Sequence, residues 1–229
     1  MKTLRFSKQA GASLMDVLVA MSISLVVTAS MIAMMSNSLG TTARIVKMTK
    51  LTDDMRVAMQ MMTRGVRRSS YNAMAKFCYA NDDCGSDTSG LTLAADIAIN
   101  DTNSCFTFLT DRDHDGNSTE EEAGGFRHVT PGGVGVIEMY SGTAANPDCG
   151  ADPGTGGWVE ITNPDNMDIF AFSVDDALSY DQLILDNGTE TLSQRVRKIR
   201  VSMEGQLVLD NDIQRHVEDV INVRNDLLL

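Results

Sequence analysis

The stretch Asp111-Arg112-Asp113-His114-Asp115-Gly116-Asn117-Ser118-Thr119-Glu120-Glu121-Glu122 fits the calcium-loop pattern D-x-D-x-D-G-x5-E at every required position. The spacing has a chemical reason. Alternate acidic residues wrap oxygens around one centre, Gly116 takes the sharp turn, and Asn117 offers its backbone carbonyl. Thr119 can hold a water, and Glu122 can close the shell with both oxygens. Ligands of this kind suit calcium and not zinc. Without a cation, Asp111, Asp113 and Asp115 repel one another within one turn. The competing reading is a solvated acidic turn. His114 is expected to point outward and not to be a ligand.

Other chemistry is sparse. The three histidines are His114, His128 and His216, and no G-x-S-x-G, H-E-x-x-H or phosphate loop occurs. Paired carboxylates could be drawn anywhere in so acidic a chain and decide nothing. The expectation is therefore a protein that is not an enzyme. The formal net charge is -12, and no basic stripe is interleaved with aromatics, which speaks against nucleic acid as a partner. The four cysteines are Cys78, Cys84, Cys105 and Cys149. Three pairings are open. The favoured one closes the short loop with Cys78–Cys84 and leaves Cys105–Cys149. Free thiols are the alternative.

The elements that must position these residues change character along the chain. The flanks of the acidic loop read as strands, not helices, and Ser118 stands where a paired calcium hand usually has an apolar residue. A lone loop between strands points to a structural calcium. Strand candidates are 104–109, 126–129, 133–140, 157–162, 168–174, 196–203, 206–209 and 217–223. In 196–203, Val196, Lys198, Arg200 and Ser202 lie on one face and Arg197, Ile199, Val201 and Met203 on the other. Glu204-Gly205 reads as the turn that follows. Segments 80–89 and 142–157, rich in Gly, Asp and Asn, read as surface loops.

Before this region the pattern is helical. Residues 36–70 hold no Pro, and Ile45, Met48, Leu51, Met55, Met59, Met62 and Val66 recur at steps of three and four, a single apolar stripe. Met packs irregular gaps. Arg64, Arg67 and Arg68 gather at the helix end, where cations oppose the dipole. Upstream, residues 17–35 carry no charge and no Pro. At ~1.5 Å per residue the run spans roughly 28 Å, near the ~30 Å hydrocarbon core of a bilayer. Lys2, Arg5 and Lys8 precede it with no acid between them, a flank that stays cytoplasmic. One helix from about 13 to 68 would be roughly 80 Å long. A secretory signal peptide is a poorer reading, because its apolar run is normally shorter and the best small-residue site, Thr28-Ala29-Ser30, lies inside the run.

The segment Gly11-Ala12-Ser13-Leu14-Met15-Asp16, followed by Val17-Leu18-Val19-Ala20, resembles the type III signal of type IV pilins and type II secretion pseudopilins. The resemblance implies prepilin peptidase cleavage between Gly11 and Ala12, N-methylation of Ala12, and an assembly role for the acid Asp16. Ala12 stands where the family usually has Phe, and Asp16 where it usually has Glu, departures met more readily in minor pilins. The close of the chain, Val220-Ile221-Asn222-Val223-Arg224-Asn225, is similar to PilW-type minor pilins and the J-type pseudopilin. The implied architecture is α+β: a cleaved leader (1–11), a transmembrane half-helix (12–36), an amphipathic half-helix (37–70), and an extracytoplasmic β-rich pilin domain with antiparallel sheet (71–229). The implied protein is a minor pilin with a calcium loop. It would sit in the inner membrane with its C-terminal domain in the periplasm, then in the pilus at the cell surface. Its partners would be other minor pilins and the major pilin through the N-terminal helix, the prepilin peptidase and the inner-membrane assembly platform. The alternatives are a J-type pseudopilin of a type II secretion system and a membrane-anchored calcium-binding adhesin or receptor outside any filament.

Overall fold

The computed structural model describes residues 11, 13–73, 97–114, 122–144, 146–186, 191–224 and 227–228. The chain divides into two compact units, Met1–Lys47 and Met48–Leu229, and the helix α1 (Leu14–Arg68) contributes to both.

In the first unit, α1 presents an unbroken apolar surface. Leu18, Leu25, Ile32 and Met35 are all exposed. The stretch is long and apolar enough to cross a membrane once, and none of it is buried. The hydroxyls of Ser22, Thr28 and Ser30 are turned back onto the helix: Ser22 Oγ donates to the Val19 carbonyl at 2.8 Å and Ser30 Oγ to that of Val26 at 2.7 Å. Polar groups closed internally in this way are what hydrocarbon requires. By length and composition this half of α1 suits a single-pass membrane anchor.

In the second unit, Leu51, Met55, Ala58, Met59, Met62 and Val66 turn one face of α1 into the core. The expected stripe holds from Leu51 onward. Met48 is only partly buried, and Ile45 is exposed, since it falls before the second unit begins. Each fully buried Met or Leu contributes about 2 kcal/mol.

The strands are β1 (Ala98–Ile99), β2 (Cys105–Leu109), β3 (Ala123–Val129), β4 (Val136–Tyr140), β5 (Trp158–Glu160), β6 (Met167–Asp175), β7 (Tyr180–Asp186), β8 (Thr191–Val196), β9 (Lys198–Leu207), β10 (Asp210–Asn222) and β11 (Leu227–Leu228). They form three antiparallel sheets in the orders β1-β2-β3-β4-β5, β10-β9-β6 and β11-β8-β7. This is the α+β, pilin-like layout of one long N-terminal helix packed on antiparallel sheets.

The five-stranded sheet has two lives because side chains alternate across it. Phe106, Phe108 and Phe126 join the α1 core, with ring centroids 5.5 to 6.4 Å apart. Phe108 fits because its neighbours lack side chains. A Cβ on Gly65 of α1 would lie 2.7 Å from the Phe108 ring, and one on Gly124 of β3 would lie 2.6 Å from it. Cys105, Tyr140 and Trp158 instead form a separate small core.

Three sequence expectations need correction. Glu204-Gly205 is not a turn. Strand β9 runs through it to Leu207, with burial alternating at every residue, and the chain turns at Val208-Leu209, so the expected strand 206–209 is the end of β9 followed by that turn. Gly205 is there for close packing: a Cβ would lie 3.1 Å from Met55 Sδ and 2.9 Å from Ile169 Cδ1. Apart from Val196, the pair β7 and β8 falls outside the expected strands. Polar residues dilute its pattern, and Tyr180, Leu183 and Ile184 stay exposed.

Candidate functional site

The acidic loop is the connection of a hairpin. Strands β2 and β3 pair from Cys105↔Arg127 to Leu109↔Ala123, so the described ends of the loop are held in register by the sheet. The end of α1 is tied to the same place. Ser70 N donates to the Leu109 carbonyl at 2.8 Å, and Asp111 N donates to that of Tyr71 at 2.9 Å.

Within this frame, carboxylate oxygens of Asp111, Asp113 and Glu122 come within 4.8 Å of one another. Asp111 and Glu122 are 1% and 3% exposed, whereas Asp113 is exposed. Backbone donors converge on them. Asp111 Oδ2 accepts from Ala73 N at 2.8 Å and Oδ1 from His114 N at 2.7 Å, and Glu122 Oε1 accepts from Arg112 N at 2.5 Å. These bonds offset part of the charge. Two carboxylates ~4 Å apart still repel by ~1 kcal/mol in water and ~4 kcal/mol at an effective dielectric of 20. An all-oxygen set of this kind fits a hard divalent cation such as calcium. Asp115, Asn117 and Thr119, the other three expected ligands, lie outside the described residues. His114 is exposed, as expected. It adopts a left-handed φ of 68°, its N–H donates to Asp111, and its ring meets Tyr71 edge-on at 5.7 Å.

At the other end of α1, Asp16 has a local task that the sequence reading overlooked. Its Oδ2 accepts from Ser13 N at 3.2 Å, while Ser13 Oγ accepts from Met15 N at 3.4 Å. Ser13 and Asp16 form a capping box, recognisable afterwards from their spacing of three. An acid there also complements the positive pole of the helix. Gly11 is exposed, and Ala12 lies outside the described residues.

The cysteines lead to a second overlooked group. Cys105 and Cys149 form a disulfide with Cα atoms 6.0 Å apart. Cys78 and Cys84 lie outside the described residues. Beside Cys105 on β3 stands Arg127, itself opposite Glu138 on β4. Both side chains are essentially inaccessible, at 1% and 0%. Arg127 Nε and Nη2 reach Glu138 Oε2 at 2.8 and 2.7 Å. Its remaining donors go to the carbonyls of Cys149 (3.1 Å), Ala151 (2.7 Å) and Asp152 (3.1 Å). The guanidinium carbon lies 4.5 Å from the Trp158 ring centroid. Glu138 Oε1 accepts from Gly154 N at 2.7 Å, and Trp158 Nε1 donates to the Asp148 carbonyl at 2.9 Å. The 142–157 segment is thus a surface loop, as expected, but one fastened over the sheet by a buried cation.

Comparison with known proteins adds one finding. A family model described as prepilin peptidase-dependent protein B matches residues 44–223. No curated protein and no solved structure matches the chain.

Proposed function

We propose, from the premise that the chain belongs to the prepilin peptidase-dependent protein B family, that it is a minor pilin of PilW type. In a type IV pilus it primes assembly or sits near the tip. The role is structural and not catalytic. The observation that carries this reading is the division of labour within α1. One face of its second half is buried against antiparallel sheets, while its first half leaves its apolar side chains uncovered. Such a surface needs lipid before assembly and neighbouring helices after it. The family match begins at residue 44. It therefore rests on different residues from the type III signal around Gly11 and Asp16, and the two supports are independent.

The sequence of events follows from the chemistry. The chain enters the inner membrane with Lys2, Arg5 and Lys8 inside and the β domain in the periplasm. Prepilin peptidase cuts after Gly11, and Ala12 becomes the methylated N-terminus. A carboxylate near the bilayer interior costs about 2.5–3.5 kcal/mol. Asp16 offsets that cost through the Ser13 cap and through an amine, its own or that of a neighbouring pilin. The assembly platform then moves the subunit into the filament, where its helix packs on those of other minor pilins and the major pilin.

Mass spectrometry of the purified protein tests the reading: the expected mature chain starts at Ala12, and an intact leader sinks it. Filament incorporation tests Asp16. Asp16→Asn keeps an acceptor for the cap and removes the charge. Loss of incorporation in Asp16→Asn is expected, and full incorporation of that variant refutes the ion pair.

The hairpin loop holds a structural calcium in the same proposal. Asp111, Asp113 and Glu122 supply part of its shell, with Asp115, Asn117 and Thr119. The support is the convergence of three carboxylates on one point between paired strands. Calcium there neutralises the loop and freezes a connection outside the cytoplasm.

A further inference from the structure

We infer that the arginine-lined cavity at the C-terminal end of α1 is a docking site for an acidic peptide segment of a partner protein. The cavity, about 450 Å³, is lined by Arg67, Arg68, Arg112, Arg224, Tyr71 and His114, among others. All four guanidinium-bearing residues are exposed. Among the described residues, no ion pair joins any of the four to a carboxylate. Three arginines of the sheets do have such partners: Arg127 faces Glu138, Arg195 faces Asp176, and Arg200 faces Asp175 and Glu218.

In a chain of net charge -12, four like charges around one hollow repel each other unless an anion joins them. The acid within the cavity wall, Asp111, is 1% exposed and has both oxygens engaged by backbone N–H groups. The planar guanidinium fork matches a carboxylate with two parallel hydrogen bonds.

A neighbouring cavity decides in favour of a peptide. It measures about 360 Å³, shares Arg68, Thr110 and Arg112 with the first, and continues over Met61, Phe108, Phe126 and Met139. The combined groove offers a cluster of cations in the first cavity and, beside Arg64, an apolar floor in the second. A free phosphate would use only the first part. An acidic segment carrying one large apolar side chain uses both.

The test is fluorescence anisotropy on the full chain in nonionic detergent at low salt. The probe is a labelled hexaglutamate peptide with one inserted leucine. Saturable binding is expected, falling about tenfold in Arg67→Gln/Arg224→Gln, since each exposed charge contributes a few-fold at low salt. Arg215→Gln, at a half-buried position of β10 outside both cavities, is expected to leave binding unchanged. If the double variant melts lower than the parent, Arg67→Gln alone is read instead. Absence of saturable binding overturns the proposal, as does equal weakening by Arg215→Gln. Displacement by inorganic phosphate at matched ionic strength reassigns the cavity to phosphate groups and overturns it. Preferential binding to micelles doped with phosphatidylglycerol reassigns it to lipid headgroups, with the same consequence.

Discussion

The loop that ends at Glu122 and the loop from Ser141 to Gly157 both leave the five-stranded sheet at strand ends, and both are built largely of Gly, Asp and other small polar residues. In the second, carbonyl oxygens of Cys149, Ala151 and Asp152 converge on a cation that the protein itself supplies, the guanidinium of Arg127. In the first, backbone N–H groups of Ala73, Arg112 and His114 converge on carboxylates. One loop closes around a buried side-chain charge, and the other gathers negative charge at one point. If calcium enters the first loop as proposed, both loops gather oxygens around a cation. The difference is then whether the cation is covalently part of the chain, and that decides which loop should respond to its surroundings.

The largest expected effect breaks the self-supplied side. Arg127→Met strands Glu138 in a site without water and is expected to cost about 4 kcal/mol. Thermal unfolding of the full chain measures it. Arg127→Met/Glu138→Met is expected to recover most of the loss, because no uncompensated charge then remains. If Arg127→Met melts like the parent, the guanidinium does not hold the loop. Next, Cys105→Ser/Cys149→Ser opens the disulfide that tethers the same loop, for about 3 kcal/mol. The chain has one Trp, Trp158, stacked on Arg127, so its fluorescence reads this loop directly in both experiments.

On the other side, a chelator is expected to lower the melting temperature by removing about 2.7 kcal/mol, the stabilisation at a hundredfold excess of calcium over its Kd. Asp113→Ala, an exposed position, should abolish the difference between calcium and chelator. A chelator effect that survives in Asp113→Ala, or none in the parent, removes calcium from the loop. Trp158 fluorescence should barely change on chelation, since the two loops are distinct devices. The smallest effect is Trp158→Phe, about 1 kcal/mol for the lost hydrogen bond to Asp148 and weaker stacking on Arg127.

Much of this frame could be read directly. The α1 face from Leu51 to Val66 follows from period alone, and the alternation of Ile199, Val201 and Met203 from a period of two. The strand character of the loop flanks at Phe106, Phe108 and Phe126 was equally open. The Ser13–Asp16 box was open to reading as well, since its partners are three residues apart. Arg127 and Glu138 were not. Nothing local marks a strand arginine as buried. Only the register that places it opposite Glu138, with the far loop folded back over both, makes a charge tolerable there. Gly205 misled for a related reason. Locally Glu-Gly suggests a turn, but the residue is small because Met55 of a distant helix passes over it.

Local periodicity and charge, by themselves, determined that this chain has an apolar N-terminal helical run, a half-buried continuation of that helix and an antiparallel domain with an acidic hairpin loop. Those features depend on neighbours within a few residues, and side-chain direction repeats with the backbone. The tertiary structure alone decided which charges meet. It buried Arg127 with Glu138, left Arg67, Arg68, Arg112 and Arg224 around an open hollow, and brought Asp111 to Glu122. Electrostatic partners are chosen by distance in space, and strand register and helix packing set that distance.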